Sequence, residues 1–492
     1  MGEIMTERII NLVFLGITLS TLSGCSSLSA KKDFSDLKQT FEAKTQLTVE
    51  WDQNQQDNDV INQKIQELLQ EKLTINTSVE IALMNNPSLQ AAFEDLGIAK
   101  ADLVQAGLFK NPSIHSFIRT PDNDGKTNVE FEISQDILDI FTSPLRKKLA
   151  REQLEQVKYR IGGAILNLDN EVKSAYYTLQ AAQQMYSMQE KIVQAAQTAV
   201  DLAEGQIRSG NINDLILNGH QMSFYQAKMD LAQRAVEVKT AKEDIRRLMG
   251  LSVNNMSWEI LDDLPFIANE EPPLEILEAK AISQNFELAI ARQEVKVMEK
   301  GLKVHQINMI PEISGGYNAE KESDGGKLSG PMFEVEVPIF DQKQTGISRG
   351  KAELRQSQRR LEAKDDEIRS EVRKNYIKLL NTRQMVETYR DTLIPLRVKF
   401  TDSLQKHYNY MLVGIYDLLN AKKEEVETYH KFIEVLKDYW IIRSDLELLI
   451  SERIEFVPYI KQSSKTEIET EMKPSLSQPM HHHNHGSHGG EK

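Results

Sequence analysis

The chain reads as mainly α-helical with a small β part, built as two rounds of one programme: helix, β-hairpin, long helix, break, helix. Three observations lead there. Between Leu154 and Ile207, two series recur every seven residues. One is Leu154, Ile161, Leu168, Ala175, Ala182, Gln189, Ala196 and Ala203. The other is Ile165, Val172, Leu179, Tyr186, Val193, Val200 and Ile207. Interleaved sevens mark the a and d positions of a coiled coil. Next, apolar and acidic residues alternate in Val129-Glu130-Phe131-Glu132-Ile133 and in Phe333-Glu334-Val335-Glu336-Val337, the period of a strand with two unlike faces. Finally, the order of these elements repeats in the second half of the chain.

The elements follow in order. Ile9 to Leu22 is a short apolar run preceded by Arg8 and followed by Leu22-Ser23-Gly24-Cys25. It is too short to span a bilayer and has the layout of a secretory signal over 1–24, with Met1 or Met5 as its start. Cys25 is the only cysteine, so an intrachain disulfide is excluded. Residues 25–72 form a polar extension with little to build a core. The first repeat, 73–264, opens on a helix for which Thr74-Ile75-Asn76-Thr77-Ser78-Val79-Glu80 offers N-cap residues. Asn111-Pro112 stops the helical pattern, and 113–134 reads as a hairpin.

The long helix of about 60 residues follows, hence on the order of 90 Å. Its glycines are the pair Gly162-Gly163 and, near its end, Gly205. Ser209 to Asp214 breaks it, and a helix over 215–249 ends at Gly250 as C-cap. Residues 265–273 are a linker. The second repeat, 274–456, places a hairpin at 312–338 and a long helix from Gly346, which Pro395 should kink. A break at Tyr408 to Tyr416 precedes a last helix from Asp417. Residues 457–492 form a polar, His-rich tail expected to be disordered.

Composition excludes several functions. A net charge of −14 offers no basic face for nucleic acid. There is no P-loop, HExxH or pair of thiols, so the chain is expected not to be an enzyme. Two hairpins do not make a stable sheet alone, and their alternation suits lipid on one side and water on the other. Open edges are not viable in lipid, so several copies must pool their strands. The physical reading is an oligomer with one barrel of strands continued by a tube of helices.

On these residues the chain resembles the TolC-like outer membrane factors of Gram-negative efflux systems, from about Leu73 to Arg453. Asn85-Asn86-Pro87-Ser88-Leu89 is similar to the family's opening helix, and Val337-Pro338-Ile339-Phe340-Asp341 to its second-strand exit. Gly210-Asn211-Ile212-Asn213-Asp214-Leu215 is similar to the heavy-metal branch. Leu22-Ser23-Gly24-Cys25 resembles a lipobox, with Cys25 the lipidated residue and Ser26 favouring the outer membrane. The resemblance implies a homotrimer with a 12-stranded transmembrane β-barrel above a periplasmic α-helical barrel. It further implies a periplasmic adaptor and an inner-membrane resistance-nodulation-division-type pump as partners. Its tightly bound cofactors are none.

The candidate residues follow. Glu130, Glu132, Glu334 and Glu336 are expected on the water-filled face, either ringing the pore for cations or simply tolerated there. Asp417 matches the first acid of the family's closed periplasmic entrance, while Asn420 stands where some members have a second; capping the last helix would also explain Asp417. Gly210, Asn211, Val413 and Gly414 are expected at the adaptor-docking tips, where turn geometry is the alternative reading. His481, His482, His483, His485 and His488 suit transient Zn2+, Cu2+ or Ni2+. His115, His220, His305, His407 and His430 show no ligand spacing. The function expected is an exit duct for heavy-metal cations. The same duct for drugs or secreted polypeptides and a non-conducting coiled-coil tether are the alternatives.

Overall fold

The computed structural model describes residues 28–45, 48–120, 122, 127–252 and 257–454. Its helices are α1 (Lys31–Thr45), α2 (Gln55–Leu68), α3 (Ile75–Asn85), α4 (Pro87–Ala106), α5 (Asp139–Arg208), α6 (Asp214–Leu248), α7 (Leu274–Gln284), α8 (Phe286–Ile307), α9 (Gln344–Thr388), α10 (Ile394–Asn409) and α11 (Ile415–Ile450). The strands are β1 (Ser113–Arg119), β2 (Asn128–Asp136), β3 (Ile313–Lys321) and β4 (Lys327–Val335). Both hairpins and both long helices lie where the periodicity predicts them.

Neither compact unit coincides with one sequence repeat. One unit gathers 1–51, 87–166 and 280–369; the other gathers 52–86, 167–279 and 370–492. Each therefore takes matching pieces of both repeats. The strands give one physical reason. An isolated hairpin is marginal, and here β2 pairs antiparallel with β3, giving a four-stranded sheet ordered β1-β2-β3-β4. At Gly316 a side chain would run into the Ile133 carbonyl of the neighbouring strand, so a glycine is needed for that approach.

The first unit also holds residues 28–45 and 48–51 of the N-terminal extension, against the expectation that the extension builds little core. Phe34, Leu37 and Phe41 share one face of α1, at spacings of three and four. Phe34 meets Trp51 at 5.4 Å and Phe93 edge-on at 5.2 Å, and Trp51 donates to Glu94 at 2.9 Å. Asp33 pairs with Lys100 at 2.8 Å and Lys158 at 3.1 Å. Burial works against its charge, but the two lysines hold its carboxyl below the usual range.

In the second unit the coiled-coil positions are filled as expected: Leu168, Val172, Leu179 and Ala182 of α5 are buried, as are Val372, Leu379 and Val386 of α9. The Asn85-Asn86 pair ties off α6. Asn86 donates to the Leu248 carbonyl at 2.9 Å and Asn85 to those of Met249 and Gly250, which turns back at φ +67°. The 265–273 segment, read as a linker, is held to α11 by hydrogen bonds and an ion pair. Trp440 donates to the Pro265 carbonyl at 2.9 Å, and Tyr439 accepts from Ala268 at 3.1 Å. Glu271 accepts from Tyr439 and pairs with Arg443 at 3.4 Å.

The interruption expected at Pro395 takes the form of a π turn over Tyr389–Leu393. Proline has no N–H and its ring crowds the carbonyl four residues back, so the preceding turn widens and the N–H of Ile394 reaches the Tyr389 carbonyl.

Candidate functional site

In the first unit the candidate site is the sheet. Residues directly opposite one another share a face. Ile114 lies opposite Ile133, Ser116 opposite Phe131 and Ile118 opposite Val129; β3 continues the row with Tyr317 and Ala319. Ile114, Ile118, Val129, Phe131, Phe333 and Val335 are all exposed. This is an apolar surface without cover.

The other face carries Glu130, Glu132 and Glu334. Glu130 faces Phe117 and Glu320, Glu132 faces His115 and Asn318, and Glu334 faces Ser314. Asn318 donates to Glu130 at 2.8 Å and Asn128 to Glu320 at 2.7 Å, while Arg119 approaches Glu130 at 3.3 Å. These donors offset part of the repulsion between the opposed carboxylates Glu130 and Glu320. Glu320 was not among the expected acids, because the alternation around it is blurred by Gly315 and Gly316. Glu336 lies just past β4, its N–H donating to the Glu312 carbonyl at 3.0 Å. Strands β1 and β4 are the edges of this sheet.

In the second unit the two helix breaks are tight turns. Gly210 sits at φ +71°, where a side chain is disfavoured, and the N–H of Asn211 reaches the Gln206 carbonyl at 2.9 Å. The second turn differs from expectation. Gly414 has φ −78° and needs no glycine freedom; the left-handed residue is Met411, at φ +57°. Its N–H reaches the Tyr408 carbonyl at 2.8 Å, and that of Leu412 reaches His407 at 2.9 Å. Tyr410, Met411 and Leu412 are consequently thrust outward, Met411 being 93% exposed, and Val413 is half-buried. Their signal in the sequence was an apolar run inside a helix break.

Asp417 lies in the first turn of α11 and accepts from the Gly414 N–H at 3.2 Å, so it closes the helix N-terminus. Capping is thus one role it has; the bond leaves its charge in the exposed turn.

Behind these turns α5, α6 and α11 enclose a cavity of about 570 Å³, lined by Gln189, Ala196, His220, Arg234, Tyr416 and His430 among others. Along α6, Met222, Tyr225, Met229 and Val236 are exposed at spacings of three, four and seven, an uncovered a/d stripe. The stripe lies beyond the clearest heptads, so the seven-residue periodicity of the sequence does not single it out.

Cys25 and His481, His482, His483, His485 and His488 lie outside the described residues. Among the described residues, no three His, Cys, Asp or Glu gather as a metal-ligand group, and no helix is long and apolar enough to cross a membrane.

Comparison with known proteins gives a consistent picture. Residues 78–251 match the model of the outer membrane efflux protein family. The cobalt-zinc-cadmium resistance protein CzcC of Cupriavidus metallidurans is 18% identical over 378 residues, covering 74% of this chain and 86% of that protein. The crystal structure of the Campylobacter jejuni CmeC outer membrane channel superposes with a TM-score of 0.67 at 14% identity, over 81% of this chain and 89% of that one. That of CusC, described as forming a transmembrane channel, gives 0.63 at 15% identity, over 76% and 91%.

Proposed function

We propose that the chain is a TolC-like outer membrane efflux protein, the exit duct of an envelope-spanning pump for heavy-metal cations, a reading supported by its fold and by the match of residues 78–251 to the outer membrane efflux protein family. The observation that carries this reading is the sheet: four strands, two open edges, one uncovered apolar face and one acidic face. Such a sheet becomes viable in lipid when its edges are sealed. Three copies joined β4 to β1 would give a closed ring of 12 strands, apolar outward, with Glu130, Glu132, Glu320 and Glu334 inward. The exposed stripe on α6 is the helical counterpart, suited to packing against a second copy.

In this reading the duct performs no chemistry. It replaces lipid with a polar, water-filled path whose carboxylates favour cations. Cys25, lipidated, would add an anchor in the outer membrane. The exposed turns at Gly210–Asn211 and Tyr410–Gly414 would meet a periplasmic adaptor, and through it a resistance-nodulation-division-type pump supplying the energy. Heavy-metal cargo is favoured by the similarity to CzcC and by the acidic face; the histidine tail would hold Zn2+, Cu2+ or Ni2+ transiently.

The test is planar-bilayer recording on the purified protein, with its mass measured in detergent. Three copies and a cation-selective conductance are expected. A monomer without conductance rejects the duct. Loss of metal tolerance on deleting the gene supports the cargo, whereas unchanged metal tolerance with new drug sensitivity assigns the duct to drugs.

A further inference from the structure

At the tips, His220 of α6 is 3% exposed, and the ring of Tyr416 on α11 stands edge-on to it with centroids 6.2 Å apart. Tyr416 itself is exposed, so it lies over the histidine as a cover. It immediately precedes Asp417. The contact therefore joins the helix leaving the first tip to the helix leaving the second, beside the candidate gate acid.

We propose that His220 under Tyr416 is an acid-sensitive clasp of the gate: neutral, it holds α6 against α11; protonated, it forces them apart. This rests on the duct reading above.

The surroundings support a neutral imidazole. The titratable and charged groups lining the same cavity are Asp230, Arg234 and Glu237 from α6, and Tyr416, Lys422, Lys423, Glu427 and His430 from α11. Helix α5 contributes Gln189, Ile192, Ala195, Ala196 and Ala199, none of which titrates. Burial lowers the pKa of His220 below its ordinary value, with no carboxylate raising it back. Its described aromatic partner is the ring of Tyr416, which is neutral and supplies no counter-charge.

The sign follows from linkage. A histidine whose pKa is depressed in the closed state and ordinary in the open one binds its proton more tightly when open. Closure is then strongest above about pH 6.5 and weakens as pH falls through the closed-state value. Each pKa unit between the two states shifts the closed–open equilibrium by up to about tenfold. Acidification outside the inner membrane, which accompanies active proton pumping, would thus ease opening.

The experiment records open probability of the full-length trimer in a planar bilayer between pH 7.5 and 5.5, for the parent and for His220→Leu and His430→Gln. The parent should open several-fold more often at pH 5.5. His220→Leu should flatten that rise and His430→Gln should keep it. A rise unchanged in His220→Leu overturns the clasp and leaves the duct standing; no conductance at any pH overturns both. In case His220→Leu does not assemble, NMR of 13C-labelled histidines in the parent trimer decides: His220 should titrate below 6.5, and a midpoint at or above it overturns the proposal.

Discussion

The ring of Phe286 occupies the space that a side chain at Gly162 would need. It also touches Phe41 at 5.5 Å and Tyr159 at 6.4 Å between ring centroids. Helices α5 and α8 approach closely because one position on the longer helix carries no Cβ. Gly162→Val should therefore destabilise the first unit by about 1–3 kcal/mol through overpacking, read as a lower melting temperature. Phe286→Ala in the same chain should recover part of that loss; strict additivity of the two changes would refute direct contact.

Glu271 and Arg443 are each only 3% exposed at the side chain, and Tyr439 donates to the same carboxylate. Truncating one partner of a buried pair leaves the other without compensation. Glu271→Ala should cost roughly 3–5 kcal/mol. Heat denaturation checks this, with Lys72→Ala as a control: its pairing with Asp262 is exposed, so the melting temperature should barely move.

His430 gives the second unit a dependence on pH. Burial first, then Arg234, push its pKa down to about 4, against partial support from the Met185 carbonyl and Glu237. A depressed histidine pKa means the unfolded chain binds the proton more readily. Stability is thus full above about pH 6.5 and falls as pH drops toward 4, by at most roughly 3 kcal/mol. Denaturant titrations at pH 7.5 and 4.5 should reveal the loss, and His430→Gln should shrink it. An equal loss in that variant would assign the effect to other groups.

On the sheet, the two faces predict opposite outcomes. Phe131→Lys places a charge on the apolar face and should impair membrane assembly, at about 2–4 kcal/mol per copy if it lies near mid-membrane. Glu130→Gln with Glu132→Gln should leave assembly intact and reduce the preference for cations, measured as reversal potential across a salt gradient. Equal effects from both changes would contradict the assignment of faces.

Asp417 separates capping from gating. Asp417→Asn keeps a carbonyl oxygen for the Gly414 N–H and removes the charge, so stability should change little while open probability rises. Asp417→Ala loses the cap as well, at about 0.5–2 kcal/mol. If neither variant alters open probability, the residue caps the helix and nothing more.

Local pattern was enough for much of this molecule. Period seven placed α5 and α9, period two placed both alternating strands, and Gly250 marked the end of α6, because these signals arise between near neighbours in the chain. The N-terminal aromatic face, Glu320 and the exposed stripe on α6 were harder to read. There the periodic signal was diluted by polar neighbours, broken by glycines or set beyond the clearest heptads.

What the sequence alone determined is the kinds and order of elements and the acidic character of one strand face, since backbone propensity and side-chain alternation are local properties. Tertiary structure decided that hairpins from opposite halves join through β2 and β3, that the 265–273 segment is held to α11 through Glu271 and Arg443, and that Met411 rather than Gly414 turns the second tip. It also brought His220 under Tyr416. Each of these depends on a long-range contact or a backbone angle selected by packing, and no sequence period encodes that.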